Sequence, residues 1–375
     1  MDNVLEHWRE RIAHAKKQHR PLRFEGAGSK NFYGKNPQAW DCTVIDTRDF
    51  SGVVSHEPTE LVVTVRAGTP WRVLADALAE RNQCLPFDPP FVDQGATVGG
   101  VINAGLTGAS RLHVGGIRDF VLGAQMMNTH GELLSFGGQV MKNVAGYDVS
   151  RLLVGSMGTL GLLTQVSLKV VPQPAAQQTL FLNCDYAVAQ IIARKFLVHP
   201  VAINASAWFE NKLSVRLCGA LAAVESSIDH LNRWAQSLTR HDFIVLDAVD
   251  AHVFWQSLNE QTHQHFNDAP SPEHTLWRAV LPTHIDGLTV HPYTGLAMWG
   301  GALRWIWSTD DLRAVFAAAG GYATAYRVPE HVVWATPSST TPALNALRNS
   351  VKAQFDPLDL FNPHRLDFVG GHHAP

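Results

Sequence analysis

The sequence predicts an α+β protein built in two parts, and three observations support this fold class. Fifteen of the 29 glycines lie between Gly95 and Gly161, in a stretch that has only seven Asp, Glu, Lys or Arg residues and apolar residues throughout. Short strands alternate there with short helices, whereas a doubly wound sheet would need regular long helices between its strands. After Pro172 the glycines thin out, and eight of the 11 tryptophans lie between Trp208 and Trp334.

The first part is predicted to open with a helix over residues 4–18, where apolar residues recur at helical spacing. Strands are predicted at 21–24, 43–46 and 61–66, a hairpin turn at 129–131, and a last strand at 162–171. Thr69 can cap a helix that has Pro70 in its first position and runs to about Arg81. Pro172 and Pro174 then interrupt the pattern, so we place the boundary of the first domain there.

The second part is predicted to be an antiparallel sheet flanked by helices. Candidate helices are 185–197, 222–239, 250–264 and 309–319, and candidate strands are 201–207, 212–218, 275–281, 302–307 and 322–327. A turn-rich segment at 335–342 precedes a closing helix at 343–353 and a tail. The expected domains are therefore 1–172, 173–334 and 335–375.

Composition narrows the classes of function. A formal net charge of -3 and a pI near 6.7 provide no basic field, so we expect no nucleic-acid partner. The first residues have no apolar core of a secretory signal, and no apolar run is long enough to span a membrane. We therefore expect a cytoplasmic protein that reaches a membrane only through partners. The four cysteines are far apart, which argues against an iron–sulfur or zinc site in this chain.

The glycine-rich stretch indicates a ligand that lies against the backbone. Glycine serves positions with φ > 0 or positions that a ligand approaches closely, and runs of such residues bring N–H groups together into an anion site. Between 95 and 161 there is neither a Walker loop nor a Gly-x-Gly-x-x-Gly dinucleotide fingerprint. The alternative is that each glycine only serves a turn between short strands. The whole ordered set favours a long phosphate-bearing ligand.

The order of these motifs resembles the FAD-binding domain of the vanillyl-alcohol oxidase (PCMH) type. A narrower resemblance, to the FAD-binding subunits of bacterial glycolate oxidases, rests on three long segments. They are PTELVVTVRAGT at 58–69, RDFVLG at 118–123 and FGGQVMKNVAGYDVSR at 136–151. The resemblance is strong over residues 20–172 and returns in FDPLDLFNPHRL at 355–366. It implies a two-part FAD-binding domain, then a cap-like α+β domain, and a tail that packs back on the first domain.

If the ligand is FAD, two loops are the best cradles for its pyrophosphate, with Lys30 as a possible counter-charge. The resemblance and the loops together predict these cofactor-binding residues: Gly26, Ala27, Gly28, Ser29, Lys30, Gly95, Ala96, Thr97, Gly99, Gly100, Gly105, Asn143, Gly146, Tyr147, Gly158 and Gly161. Many relatives hold FAD covalently through a His in the first loop. Ser29 stands at that position here, so we expect a non-covalent cofactor.

No catalytic residue is assigned from the sequence. Catalytic relatives carry a His-x-Gly-Asp-Gly-Asn segment, and the most similar text, His291–Gly295, lacks its Asp and Asn. No metal site is expected. His284, His291, Arg304 and Arg327 are possible substrate contacts. The strand at 302–307 is either core packing or a partner surface, since Trp and Arg are enriched in interfaces.

The function implied by the resemblance is that of an FAD-binding subunit of a glycolate oxidase complex. A related catalytic FAD subunit and an iron–sulfur subunit would be its partners, and glycolate or D-lactate the substrate. Two alternatives stay open: a self-sufficient FAD-dependent D-lactate or 2-hydroxy-acid dehydrogenase, and a non-catalytic scaffold that keeps the fold.

Overall fold

The computed structural model describes residues 2–34, 41–138, 148–285, 290, 292, 295–332, 341–363 and 365–366. The chain divides into two compact units. The first unit comprises Met1–Thr107, Gly116–Gln173 and Thr340–Pro375, and the second comprises Gly108–Gly115 and Pro174–Ser339. Within the described residues, no helix is both long and apolar enough to cross a membrane.

The strands of the first unit form three groups. They are β1 (Leu22–Glu25), β2 (Thr43–Asp46), β3 (Val53–Glu57), β4 (Val62–Arg66), β5 (Gln83–Cys84), β6 (Val121–Met127), β7 (Leu133–Gly137), β8 (Leu162–Lys169) and β9 (Val171–Pro172). β1 and β2 pair in parallel, β5 and β9 pair antiparallel, and the other strands form an antiparallel sheet in the order β3-β4-β8-β6-β7.

The described helices alternate with these strands and continue into the second unit. They are α1 (Asp2–Gln18), α2 (Trp71–Ala79), α3 (Val98–Ala104), α4 (Arg111–Val114), α5 (Ile117–Phe120), α6 (Val149–Leu152), α7 (Tyr186–Phe196), α8 (Leu221–Thr239), α9 (Ala248–Glu260), α10 (Gln264–Asn267), α11 (Arg313–Ala318) and α12 (Pro342–Phe355). The predicted first helix is confirmed as α1. Its Trp8 and Ile12 are buried against Phe50 and Phe361, because they share one face of the helix.

The tail joins the strand that precedes the first small-residue loop. Leu22 donates its N–H to Leu360 O at 2.7 Å, and Asn362 donates its N–H to Leu22 O at 2.9 Å, so the tail extends the β1–β2 pair. Lys352 on α12 holds the turn by donating to Thr159 O and to the buried carboxylate of Asp356. Residues distant in sequence therefore meet beside β1.

The second unit is built on one antiparallel sheet of eight strands, and the α+β class is confirmed in both units. The strands are β10 (Ala176–Asn183), β11 (Ile203–Phe209), β12 (Lys212–Gly219), β13 (Ile244–Leu246), β14 (Thr275–Val280), β15 (Leu296–Met298), β16 (Leu303–Ser308) and β17 (Tyr322–Arg327). Their order is β13-β10-β12-β11-β15-β16-β14-β17. The predicted strands are observed within a few residues, whereas β10, β13 and β15 have no predicted counterpart.

Helices cover the sheet of the second unit at β10, β11 and β12, and β16 is buried on both faces. Helices α7 and α8 bury Ile192, Leu231 and their neighbours against β10, β11 and β12. On β16, Leu303, Arg304, Trp305 and Ile306 are all buried. The core-packing interpretation of this strand is therefore confirmed, and the partner-surface alternative is wrong.

Candidate functional site

A cleft opens in the first unit where the loop after β1, helix α3 and the tail meet. It is lined by Arg23–Asn31, by Thr97, Gly99 and Gly100 on α3, and by Asn362 and Arg365 from the tail. It encloses about 750 Å³ of empty space, counted out to its open mouth. The site therefore draws on both ends of the chain.

The loop after β1 offers backbone donors to this cleft. The N–H groups of Ala27, Gly28 and Ser29 donate no hydrogen bond to any other residue that the structure describes. Gly28 has φ +73°, a left-handed conformation that glycine adopts without strain, and it turns the loop here. Half-buried N–H groups in such a run need acceptors, and an anion supplies them.

Three cations surround the same loop. Lys30 is only 7% exposed, and its Nζ lies 3.3 Å from Ser29 Oγ. Arg365 is equally buried and donates to the carbonyls of Lys30 and Asn31. Arg23 pairs with Glu25 at 3.0 Å, yet its buried Nε has no hydrogen-bond partner among the described residues.

The residues that line the cleft carry an excess of positive charge. Glu25 is the one acidic residue among the described residues that line it, against three cations. Burial, and then the nearby charge of Arg23, lower the pKa of Arg365 to about 10. Mutually repelling buried cations destabilise a site unless a ligand compensates them. The cleft is therefore built for an anion with about two negative charges.

The start of helix α3 borders the cleft, and several of its N–H groups are bonded within the protein. Val98 donates its N–H to Thr69 O at 2.8 Å and Gly99 to Ala67 O at 2.7 Å. The N–H of Gly100 is taken by the Thr97 hydroxyl, which caps the helix. Thr97, Gly99 and Gly100 line the cleft, and the N–H groups of Val98, Gly99 and Gly100 are bonded within the protein, so the second N–H cradle stays a prediction.

Three of the glycines predicted to bind the cofactor lie where a side chain would collide with other residues of the protein. A Cβ at Gly105 would lie 2.9 Å from the Cα of Gly155, one at Gly158 would lie 2.5 Å from Asn362 Nδ2, and one at Gly161 would lie 2.6 Å from Met126 Sδ. These three glycines, with Gly95 and Ala96, do not line the cleft. Asn143, Gly146 and Tyr147 lie outside the described residues.

The sequence reasoning missed Arg23, Asn362 and Arg365 as site residues. Asn362 accepts from the N–H of Phe24 and donates to Met157 O, which fixes the start of the loop against the glycine-rich turn. The signal was present in the FNPHRL segment, which carries both Asn362 and Arg365. It was assigned to packing because only the fold brings the tail beside β1.

The second-unit candidates have structural partners. Arg304 is fully buried and donates to the Tyr186 hydroxyl, and Arg327 donates to Phe266 O and Gln261 Oε1. His291 lies outside the described residues. The structure assigns no role to His284. Within the described part of the chain, no group of three or more His, Cys, Asp or Glu residues could hold a metal ion.

The residues of the cleft fit the pyrophosphate of FAD. Among the described residues, the N–H groups of the loop and the buried Nε of Arg23 have no partner, and the net excess of cations matches two phosphate charges. When bound, FAD supplies a two-electron acceptor. The cations and N–H groups of the cleft would hold and neutralise its phosphates.

Comparison with known proteins supports the fold and the binding of FAD. A family described as FAD binding domain matches residues 5–137. The glycolate oxidase subunit GlcE of Escherichia coli (strain K12) is 36% identical over 349 residues, which cover 92% of each chain. The glycolate oxidase subunit GlcD of Bacillus subtilis (strain 168) is 32% identical over 187 residues, 48% of this chain and 39% of that protein.

A solved structure supports the fold expectation. p-Cresol methylhydroxylase superposes with a TM-score of 0.70 at 13% identity, covering 99% of this chain and 88% of that chain. The two-part FAD-binding architecture with a following antiparallel domain is thus confirmed as a fold. Because the similarity to GlcE extends over nearly the full length of both proteins, the chain belongs to the family of the glycolate oxidase subunit GlcE and carries an FAD-binding domain.

Proposed function

We propose that this chain is the subunit of a glycolate-oxidising complex that holds one FAD without a covalent bond. The observation that carries the proposal is the cation-rich cleft, where Arg23, Lys30 and Arg365 surround a loop whose N–H groups at 27–29 bond to no described residue. The family membership supplies the reaction class.

The extent of similarity favours a subunit over a self-sufficient dehydrogenase. GlcE matches 92% of this chain, whereas the D-lactate dehydrogenase of Anaerostipes hadrus matches 45% of it and 36% of its own length. The similarity to the dehydrogenase thus covers less than half of either protein.

Oxidation of glycolate to glyoxylate releases two electrons and two protons, and the electrons pass through flavin to partner subunits.

The partners are proposed on the same basis. A GlcD-like chain with its own FAD provides the catalytic site, and an iron–sulfur subunit accepts the electrons, because the four cysteines of this chain are dispersed in the sequence and none forms a disulfide. Any attachment to a membrane then occurs through these subunits.

The non-covalent state is tested by acid precipitation of the purified yellow protein. Ser29 cannot attack the flavin as an imidazole does, so we expect all flavin in the supernatant as intact FAD. Flavin that stays with the denatured chain would contradict the proposal. A colourless protein, with no absorbance near ~450 nm, would instead favour the scaffold alternative.

The subunit assignment is tested by turnover with glycolate and a dye acceptor. The chain purified alone, with FAD content measured, is expected to show little or no bleaching or dye reduction. The complex isolated through a tag on this chain is expected to reduce the dye and to contain extra flavin and iron. Full activity of the isolated chain would establish the self-sufficient dehydrogenase instead.

A further inference from the structure

Strand β13 forms one edge of the eight-stranded sheet and is open to solvent on both faces. It pairs with β10 on one side, and no described strand pairs with its other side. Ile244 and Val245 point to opposite faces of the sheet, because successive side chains of a strand alternate, and each is 52% exposed. The strand therefore presents apolar side chains together with outward-facing backbone N–H and C=O groups that no described strand pairs.

The exposed strand is held in place at both ends. Phe243, directly before it, is buried and donates its N–H to Asn232 Oδ1 at 2.9 Å. Asp247, directly after it, caps helix α9 by accepting the N–H groups of Val249 and Asp250 at 2.9 and 3.0 Å. The exposure is therefore a property of a fixed strand and not of a frayed chain end.

Two other edge strands carry features that hinder pairing with a further chain. The pairing of β3 with β4 skips Val54, and the pairing of β17 with β14 skips Tyr326. Bulges of this kind are a common protection of sheet edges. In contrast, β13 keeps a regular register with β10 and consists of Ile, Val and Leu alone. An edge of this composition is a template for another strand.

The charges beside β13 select among the chains that would cover it. Asp242 and Asp247 border the strand directly, and Arg240 lies two residues before the first of them. In an antiparallel pair of two copies with Ile244 of one opposite Val245 of the other, Asp242 would lie opposite Asp247 at both ends. Like charges opposite one another are destabilising, so a second copy fits this edge poorly. A strand with basic residues at its ends complements it.

We propose that the outer edge of β13 is the docking site for an extended strand of a partner subunit, apolar in its middle and bordered by lysine or arginine at its ends. The partner strand continues the sheet by backbone hydrogen bonds, and its side chains cover Ile244 and Val245. Three residues of pairing provide little affinity by themselves, so the strand belongs to a folded subunit with further contacts. That such a subunit exists rests on the proposed function, whereas the open edge does not.

Amide exchange of segment 243–247 tests the proposal without any substitution. It is compared between the FAD-loaded chain alone and the complex isolated through a tag on this chain. We expect exchange in 243–247 to slow by about 10-fold or more in the complex, because the partner strand engages the outward-facing N–H groups. Segment 53–57, the edge strand β3, is the internal reference and should exchange equally in both samples. Unchanged exchange of 243–247 in a complex that contains the partner subunits would overturn the proposal.

Matched lysine substitutions test the same edge through its composition. Val245→Lys places a charge on the open strand and should weaken association with the partner subunits by about 10-fold or more, measured as dissociation of the complex on dilution. Val54→Lys makes the same change at an exposed position of β3 and should leave the complex intact. Asp242→Lys reverses one border charge and should also weaken association, whereas Glu60→Lys, at an exposed position of the first unit, should not.

The remaining outcomes separate this site from the proposed function. Flavin content should be unchanged in every variant, since β13 lies in the second unit and the cleft in the first. A chain that is dimeric when alone, and monomeric as Val245→Lys but not as Val54→Lys, would show that a second copy occupies the edge. Equal association of these two variants would refute the site while leaving the subunit assignment intact. An unmodified, FAD-loaded chain that isolates without any partner would refute the subunit assignment, and the site with it.

Discussion

Arg23 is the single side chain on which the chemistry of the cleft depends most directly. Its Nε is buried and has no partner among the residues that the structure describes, and its charge lowers the pKa of Arg365. We expect Arg23→Met to weaken FAD binding about 10-fold or more, since a hydrogen bond to a charged group contributes ~1.5–3 kcal/mol. The dissociation constant is measured by fluorescence during reconstitution of the flavin-free chain.

The control for this substitution is Arg48→Met, which removes an exposed arginine already paired with Asp46. It should leave FAD affinity unchanged. Because loss of Arg23 also relieves repulsion of Arg365, the flavin-free Arg23 variant should melt no lower than the parent. A lower melting temperature together with normal FAD affinity would show that Arg23 serves the fold and not the cofactor.

At the scale of single residues, the sequence predicted the position of the loop but not the environment of its side chains. The loop with Lys30 was recognisable because small residues cluster directly after a strand, but Lys30 could not be distinguished from an exposed lysine near a turn. Its burial depends on Phe91 and on the tail, both distant in sequence.

At the scale of elements, two adjacent glycines of α3, Gly99 and Gly100, border the cleft but have different surroundings. A Cβ at Gly99 would meet the Ala67 side chain at 2.8 Å and its carbonyl at 3.0 Å, whereas one at Gly100 would meet only Thr97 Oγ1 at 3.2 Å. Gly99→Ala should therefore destabilise the flavin-free chain by about 1–3 kcal/mol through overpacking. Gly100→Ala should retain its stability, because alanine favours a helix.

The two alanine variants separate stability from cofactor binding. Gly100 lines the cleft, so its new methyl group should lower flavin content while the melting temperature of the flavin-free chain is unchanged. Calorimetry and the ratio of absorbance near ~450 nm to protein measure the two effects. Normal flavin content in Gly100→Ala would place the cofactor away from this turn of α3.

The elements themselves were predictable where periodicity is strong. Helix α1 follows from the helical spacing of its apolar residues, and β4 and β8 follow from largely apolar runs that are buried on both faces. β13 and β15 have only three residues each, too short for a pattern, and they exist because neighbouring strands supply hydrogen bonds. The pairing of Leu22 with the tail depends in the same way on contacts that local sequence does not encode.

At the scale of the whole molecule, the described histidines whose pKa is lowered by burial lie in the second unit. His113, His263 and His265, whose pKa values are lowered by burial, all belong to the second unit. Burial brings the pKa of His113 and of His265 to about 4, against an ordinary value of 6.5. A lowered pKa means that the folded state favours the neutral imidazole. The contribution of each such histidine to the stability of the fold is therefore fully present above pH 6.5 and is lost as the pH falls toward 4.

Acid should therefore unfold the second unit before the first. Lowering the pKa of one histidine from 6.5 to about 4 corresponds to on the order of 3 kcal/mol lost by pH 4. Amide exchange at pH 7 and near pH 4, corrected for intrinsic rates, should show lost protection in β10–β17 while β4 and β8 remain protected.

His113→Leu should reduce this loss of protection, because it removes a buried ring nitrogen that has no partner among the described residues. His252→Leu is the control, since this exposed position should have no such effect. Equal acid sensitivity of both variants would mean that other groups than the buried histidines govern the stability of the second unit.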